Sequence, residues 1–201
     1  MAAALSSFAG ARDPSSPSRN RPDLDILPLS RIDPAAVEAL LDRAFGPGRH
    51  ARTAYKVRGA ARPVASLSFA AVEGPRLLGT VQCWPVLLRA DDGAIHPLVM
   101  VGPVAVDPER QRSGLGRALM ARAMAATAET GADRALALIG DPEYYGRFFG
   151  FSADRTGAWR LPGPVEPRRL LARGPDVPAV AGALGPVADL DADLDGAARA
   201  A

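Results

Sequence analysis

Few side chains in this sequence are suited to covalent or acid–base chemistry. The chain carries two histidines, one cysteine and three tyrosines. His50, His96 and Cys83 stand apart from one another. A lone cysteine can form neither an internal disulfide nor a paired-thiol metal or redox motif. Cys83 therefore reads as a buried, inert thiol in a strand, and no metal site is expected. Tyr144 and Tyr145 differ because they lie side by side after Asp141-Pro142-Glu143. That triplet starts a short helix, supplying a side-chain cap, a preset dihedral and a negative charge near the positive end of the helix dipole. A tyrosine fixed there can donate a proton. The second informative run is Gln111-Arg112-Ser113-Gly114-Leu115-Gly116, between an apolar strand and a helix. A helix N-terminus presents unpaired N–H groups and positive potential, and glycines let an anion approach closely. The run thus predicts a phosphate-binding loop.

Two stricter phosphate motifs are absent: GxxxxGK followed by Ser or Thr, and GxGxxG with an acidic residue about 20 positions on. Nucleotide hydrolysis and dinucleotide chemistry are set aside accordingly. The elements that position the loop are legible. Leu98 to Val106 is a nearly continuous apolar run, as a strand covered on both faces requires. Gly114 to Thr130 is an alanine-rich helix turning Leu115, Leu119, Met120, Ala123 and Met124 inward, with Gly131 as its C-terminal cap. Ala135 to Ile139 is a second buried strand. Strand, helix and strand occupy about 40 residues, which predicts a right-handed parallel crossover.

Upstream, Leu24, Ile26 and Leu29 suggest a first strand, and Asp33-Pro34 caps a helix through Phe45 with Val37, Leu40, Leu41 and Ala44 on one face. His50 to Pro63 reads as a second helix or an ordered loop. Strands are expected from Ser66 to Phe69 and from Leu77 to Leu88, with the last ones at Trp159 to Leu161 and Arg169 to Ala172. Residues 1–22, with a Pro/Ser/Arg run from Arg12 to Pro22, are expected to be a flexible arm, 23–173 a single domain, and 174–201 a Pro/Gly/Ala-rich tail with four aspartates between 189 and 195.

The segment Val104-Ala105-Val106-Asp107-Pro108-Glu109-Arg110-Gln111-Arg112-Ser113-Gly114-Leu115-Gly116 resembles the Q/R-x-x-G-x-G/A acetyl-CoA motif of the GNAT acetyltransferases. Gly140-Asp141-Pro142-Glu143-Tyr144-Tyr145-Gly146-Arg147-Phe148-Phe149-Gly150-Phe151 resembles the GDPxYYxRFGF segment of the YhbS-like branch. The resemblance implies an α/β fold of three layers, with a mixed, mostly antiparallel sheet, helices on both faces and a splayed parallel strand pair. It also implies an N-acetyltransferase using acetyl-CoA. Val104, Ala105 and Val106 would offer backbone groups to the pantetheine arm, and the amides from Arg112 to Arg117 would hold the pyrophosphate. Tyr145 would be the general acid. The chain departs from the pattern twice. RFFGF replaces RFGF, so counting back from Gly150 and forward from Asp141 give different registers, which leaves Tyr144 as the alternative to Tyr145, and Arg112 stands where relatives commonly have glycine.

Acyl transfer to an amine needs a deprotonated nucleophile and a proton for the leaving sulfur. An alkyl ammonium titrates at about 10.4 and a thiol at about 8.5, so the thiolate is a ready proton acceptor for a tyrosine. The base is open among His96, His50 and a water chain. A primary amine, on a small molecule or a peptide, is the expected acceptor. A non-catalytic acyl-CoA-binding module and a transferase for longer acyl chains are the alternatives. A formal charge of +2 argues against a nucleic-acid partner. No run approaches the roughly 20 apolar residues of a membrane helix, and the single, unpaired Cys83 fits a reducing cytoplasm best. Homodimerisation is compatible with this reading.

Overall fold

A computed structural model describes residues 24–187. The expected N-terminal arm and the aspartate cluster at 189–195 lie outside the described residues. The chain runs β1 (Leu24–Pro28), α1 (Pro34–Phe45), α2 (Thr53–Arg58), β2 (Phe69–Glu73), β3 (Arg76–Ala90), β4 (Ile95–Val106), α3 (Leu115–Thr130), β5 (Leu136–Ile139), α4 (Pro142–Phe149), β6 (Trp159–Arg160), β7 (Leu170–Arg173) and β8 (Gly182–Pro186). The strands form one eight-stranded sheet ordered β1-β2-β3-β4-β5-β7, with β8 pairing β3 and β6. Most pairs are antiparallel, and β4–β5 is parallel.

Alternation along the strands divides the core between two faces, because successive side chains point to opposite sides of a sheet. Leu136, Leu138 and Leu171 join a cluster with Leu115, Leu119, Met120 and Ala123 of α3. Their neighbours Ala137, Leu170 and Ala172 pack with Val57 of α2 and Trp84. Val37, Leu40 and Leu41 of α1 cover Ala70, Leu77 and Ala105 on that second face. Helices α3 and α4 therefore lie on one face, and α1 and α2 on the other. The caps form as their residues dictate: Asp33 accepts from the Ala35 amide at 3.0 Å, Asp141 from the Glu143 amide at 3.0 Å, and Gly131 closes α3 with φ +72°.

The parallel pair is brief. Val99 pairs Leu136 and Met100 pairs Ala137, and there the ladder ends. Just beyond, the β3–β4 register jumps from Val81↔Val104 to Cys83↔Val101, a bulge at Gly102-Pro103. Such a bulge bends the strand that carries it. From there to Val106, β4 stays bonded to β3 while its other edge is separated from β5.

Two expectations are corrected. The strand placed at Ser66 starts at Phe69, since Ala65–Leu67 form a 3-10 turn. The sheet also extends past residue 173: β8 pairs Val86–Ala90 of β3 antiparallel and β6 parallel. Its sequence GALGP has low strand propensity. Its extended form comes from filling the edge of β3 beyond β2, with Leu184 buried in the core.

Candidate active site

The loop between β4 and α3 is anchored at its start. Asp107 is buried, accepts from the Glu109 amide at 3.1 Å, and pairs with Arg43 at 3.3 Å and Arg76 at 3.6 Å. Burial pushes its carboxyl up, but the Glu109 amide and the two guanidiniums outweigh this and hold it below the usual carboxylate value. Next, Arg110 forms an ion pair with Glu73 of β2, and the Ser113 hydroxyl donates to the Arg110 carbonyl at 2.6 Å. Arg112 and Gly114 both adopt left-handed backbone, with φ +63° and +84°. Glycine takes that conformation freely and arginine does so at a cost, so the chain keeps arginine at a position whose geometry suits glycine.

No side chain caps the N-terminus of α3. Its first residues border a cavity of about 410 Å³ lined by Val106, Gln111, Arg112, Gly114, Leu115, Gly116, Arg117, Tyr144 and Phe148, among others. A Cβ added at Gly114 would meet nothing within 4 Å, and one at Gly116 would reach Val106 at 3.5 Å, an ordinary contact. The loop thus leaves room for a ligand against its main chain. Ser113 does not line this cavity. Ala105 is fully buried and points into the opposite face, so only its backbone is available at the strand edge.

A second space, about 230 Å³, is lined by Val104, Val106, Gly116 and Met120 together with Ala44 and Phe45 of α1 and the two tyrosines. Met120 belongs to one face of the sheet and Phe45 to the other. The gap between β4 and β5 is therefore a passage through the sheet. Beyond it opens a cavity of about 690 Å³, lined in part by Phe45, Tyr55, Arg58, Val104, Tyr145, Glu166 and Arg169. Tyr144 borders all three spaces, and Tyr145 borders the passage and the larger cavity.

The two phenol rings meet edge to face, with centroids 5.0 Å apart. Tyr145 packs against the α3-side core and over Gly140, where an added Cβ would fall 2.3 Å from its Cε2. Glycine at 140 is what allows the ring to lie there. Burial, reinforced by Tyr144 and Asp141, pushes the Tyr145 hydroxyl up to about 12. It is protonated at neutral pH.

The larger cavity is walled by segments that showed no motif in the sequence. Arg49, buried in the 3-10 turn Pro47–Ala51, bonds Asp42 at 2.8 Å, Glu38 and the Tyr55 hydroxyl, tying α1 to α2. The Thr53 hydroxyl donates to the Pro164 carbonyl at 2.9 Å, fixing the segment that carries Glu166. Neither His50 nor His96 lines the spaces that Tyr145 borders. Cys83 is fully buried, and burial pushes its thiol up to about 12, which leaves it unreactive. Among the described residues no cluster of His, Cys, Asp or Glu could hold a metal ion, and no helix is long and apolar enough to cross a membrane.

A parallel pair that separates beyond Met100, with an uncapped helix start at one mouth and a roomy cleft at the other, makes a two-mouthed passage through the sheet. The family model for an acetyltransferase (GNAT) domain matches residues 28–153, and the chain belongs to that family. Its reaction class is accordingly acyl transfer from a CoA thioester. Among solved structures, the Escherichia coli GNAT family N-acetyltransferase YhbS in complex with CoA is 23% identical, with a TM-score of 0.62 over 85% of this chain and 92% of that one. That likeness shows a shared fold. A Brucella melitensis GNAT family acetyltransferase in complex with acetyl-CoA is 26% identical, with a TM-score of 0.51 over 75% of this chain and 96% of that one. Among curated proteins none matches the chain.

Proposed function

We propose that this protein transfers an acetyl group from acetyl-CoA directly to the primary amine of a small molecule or peptide. The observation that carries the reading is the continuous passage from the uncapped α3 N-terminus, through the β4–β5 gap, to the larger cavity, with Tyr145 at the junction. The relatives crystallised with CoA and acetyl-CoA support the choice of donor.

In this reading the backbone from Arg112 to Arg117 holds the pyrophosphate, aided by the positive potential of the helix start. The edge of β4 at Val104, Ala105 and Val106, left unpaired by the splay, offers main-chain groups to the pantetheine arm. The bound co-substrate supplies the thioester. Attack by the neutral amine forms a C–N bond and breaks the C–S bond, and the amine's surplus proton passes to solvent. Tyr145 gives its hydroxyl proton to the departing sulfur. The apolar surroundings that raise the phenol also raise the thiol's own pKa, since both anions lose solvation there. The proton transfer is thus better matched than the two free values suggest.

Thiol release from acetyl-CoA over a panel of primary amines tests this. Amine-dependent release by the wild-type protein supports it. CoA binding without release under any amine would instead favour a non-catalytic acyl-CoA-binding module.

A further inference from the structure

The larger cavity is lined by a buried cation that has no ion-pair partner among the described residues. Arg58, the last residue of α2, lines this space and is only 6% exposed. Its guanidinium lies 3.6 Å from the centroid of the Tyr55 ring and 4.1 Å from that of Trp84. Among the described residues it forms no ion pair, and the acid near it, Glu38, is paired with Arg49. Burial pushes the Arg58 guanidinium below its ordinary value, and the Arg49 charge acts in the same direction against the opposing influence of Tyr55 and Glu38. A desolvated cation without a counter-ion is unfavourable, and a bound anion removes the penalty.

The other charged groups of the cavity do not supply that anion. Asp141 caps α4, and Glu166 accepts from Arg168 at 3.2 Å. Arg52, which donates to the Phe45 carbonyl at 2.9 Å, and Arg169 line the same space with no ion pair among the described residues and add to its positive potential. The phosphate-binding mouth is separate, since it shares only Tyr144 with this cavity.

Resting on the acetyltransferase reading, we propose that the acceptor carries a carboxylate bound by Arg58, so that the substrate class is small amino-acid-like amines. Ring contacts engage the flat faces of a guanidinium and leave its in-plane N–H groups, which fit a planar carboxylate in a paired fashion. Such a contact orients the acceptor in the cleft beside Tyr145.

The test measures thiol release from acetyl-CoA with glycine, β-alanine, 4-aminobutyrate and L-phenylalanine beside their carboxamides. Each carboxylate is also tested for raising the melting temperature of the CoA complex. The wild-type protein should favour carboxylates on the order of 10- to 100-fold in kcat/KM, the worth of a hydrogen-bonded charge. Arg58→Gln should bring that ratio close to one through KM, with Arg58→Lys intermediate and the CoA-induced melting shift reporting that each variant folds. Should neither variant fold, the wild-type ratio decides. Carboxamides that match carboxylates overturn the inference, as do carboxylates that neither react nor stabilise the CoA complex. Collapse of the ratio in Arg52→Gln or Arg169→Gln but not in Arg58→Gln overturns the choice of residue. In all these outcomes the CoA shift remains. Its absence from the wild-type protein would overturn the donor assignment and this inference together.

Discussion

At the α3 mouth of the passage most of the lining comes from one run, Arg110 to Arg117 without Ser113, joined by Val106, Tyr144 and Phe148. At the α2 mouth the lining is brought from α1, α2, the end of β5 and the segment around Glu166. The first mouth is made by local backbone geometry, the second by tertiary packing. On the proposed reading a main-chain site is expected to tolerate changes of side chain, Arg112 at a glycine-like φ among them. A side-chain site ties its specificity to single residues such as Arg58.

The sharpest way to break this contrast lies where the mouths meet. If Tyr145 is the proton donor, Tyr145→Phe should lower kcat by about 10²- to 10⁴-fold with CoA affinity nearly constant. Tyr144→Phe should have a much smaller effect. Steady-state kinetics decide, and an exchange of the two behaviours would transfer the role to Tyr144, which borders all three spaces.

Next in size is the main-chain mouth itself. CoA should stabilise the protein by about 2.7 kcal/mol at 100-fold over Kd, seen as a rise in melting temperature. Gly116→Val should abolish the rise and keep the fold, because a Cβ at 116 makes only an ordinary contact with Val106 and its branches would enter the phosphate space. An undiminished shift in that variant would mean the phosphates do not approach Gly116.

A smaller effect concerns the anchor of the loop. Asp107→Asn should cost about 1 to 3 kcal/mol at neutral pH, the penalty for losing one partner of a buried polar contact. The Asp107 carboxyl is depressed in the folded state. Its contribution is therefore present above the unfolded value of about 3.9 and lost as pH falls through the folded value. The gap between wild type and variant in urea melts should close below about pH 4; a gap constant with pH would contradict the ion-pair account.

The smallest change refines the comparison. Arg112→Gly should relieve left-handed strain and stabilise the fold by about 1 kcal/mol or less. CoA affinity should shift by no more than a few-fold if the loop binds through its backbone. A loss beyond about ten-fold, the worth of a charge-assisted bond, would show the guanidinium on a phosphate.

The same contrast explains what could be read in advance. The β4–α3–β5 crossover, the α3 loop and the capped start of α4 rest on local signals: an apolar run, glycines, and Asp-Pro-Glu. Each formed where its residues required. Phe45, Tyr55 and Arg58 carried no such signal, since nothing in a short arginine-rich stretch states which ring an arginine will stack on. The spacing of Tyr55 and Arg58, three apart on a helix, would have placed them on one face, but not against Trp84. β8 was missed for a related reason: Gly182-Ala183-Leu184-Gly185-Pro186 is extended only because β3 and β6 are there to receive it.

That late strand also has a consequence in time. Val86 to Ala90 of β3 wait for partners that begin at Gly182, roughly ninety residues further along the chain. With synthesis at about 5 to 20 residues per second, the nascent protein holds an open, apolar edge for roughly 5 to 20 seconds at the ribosome. During that interval the outer third of this strand has no partner on that edge within its own fold.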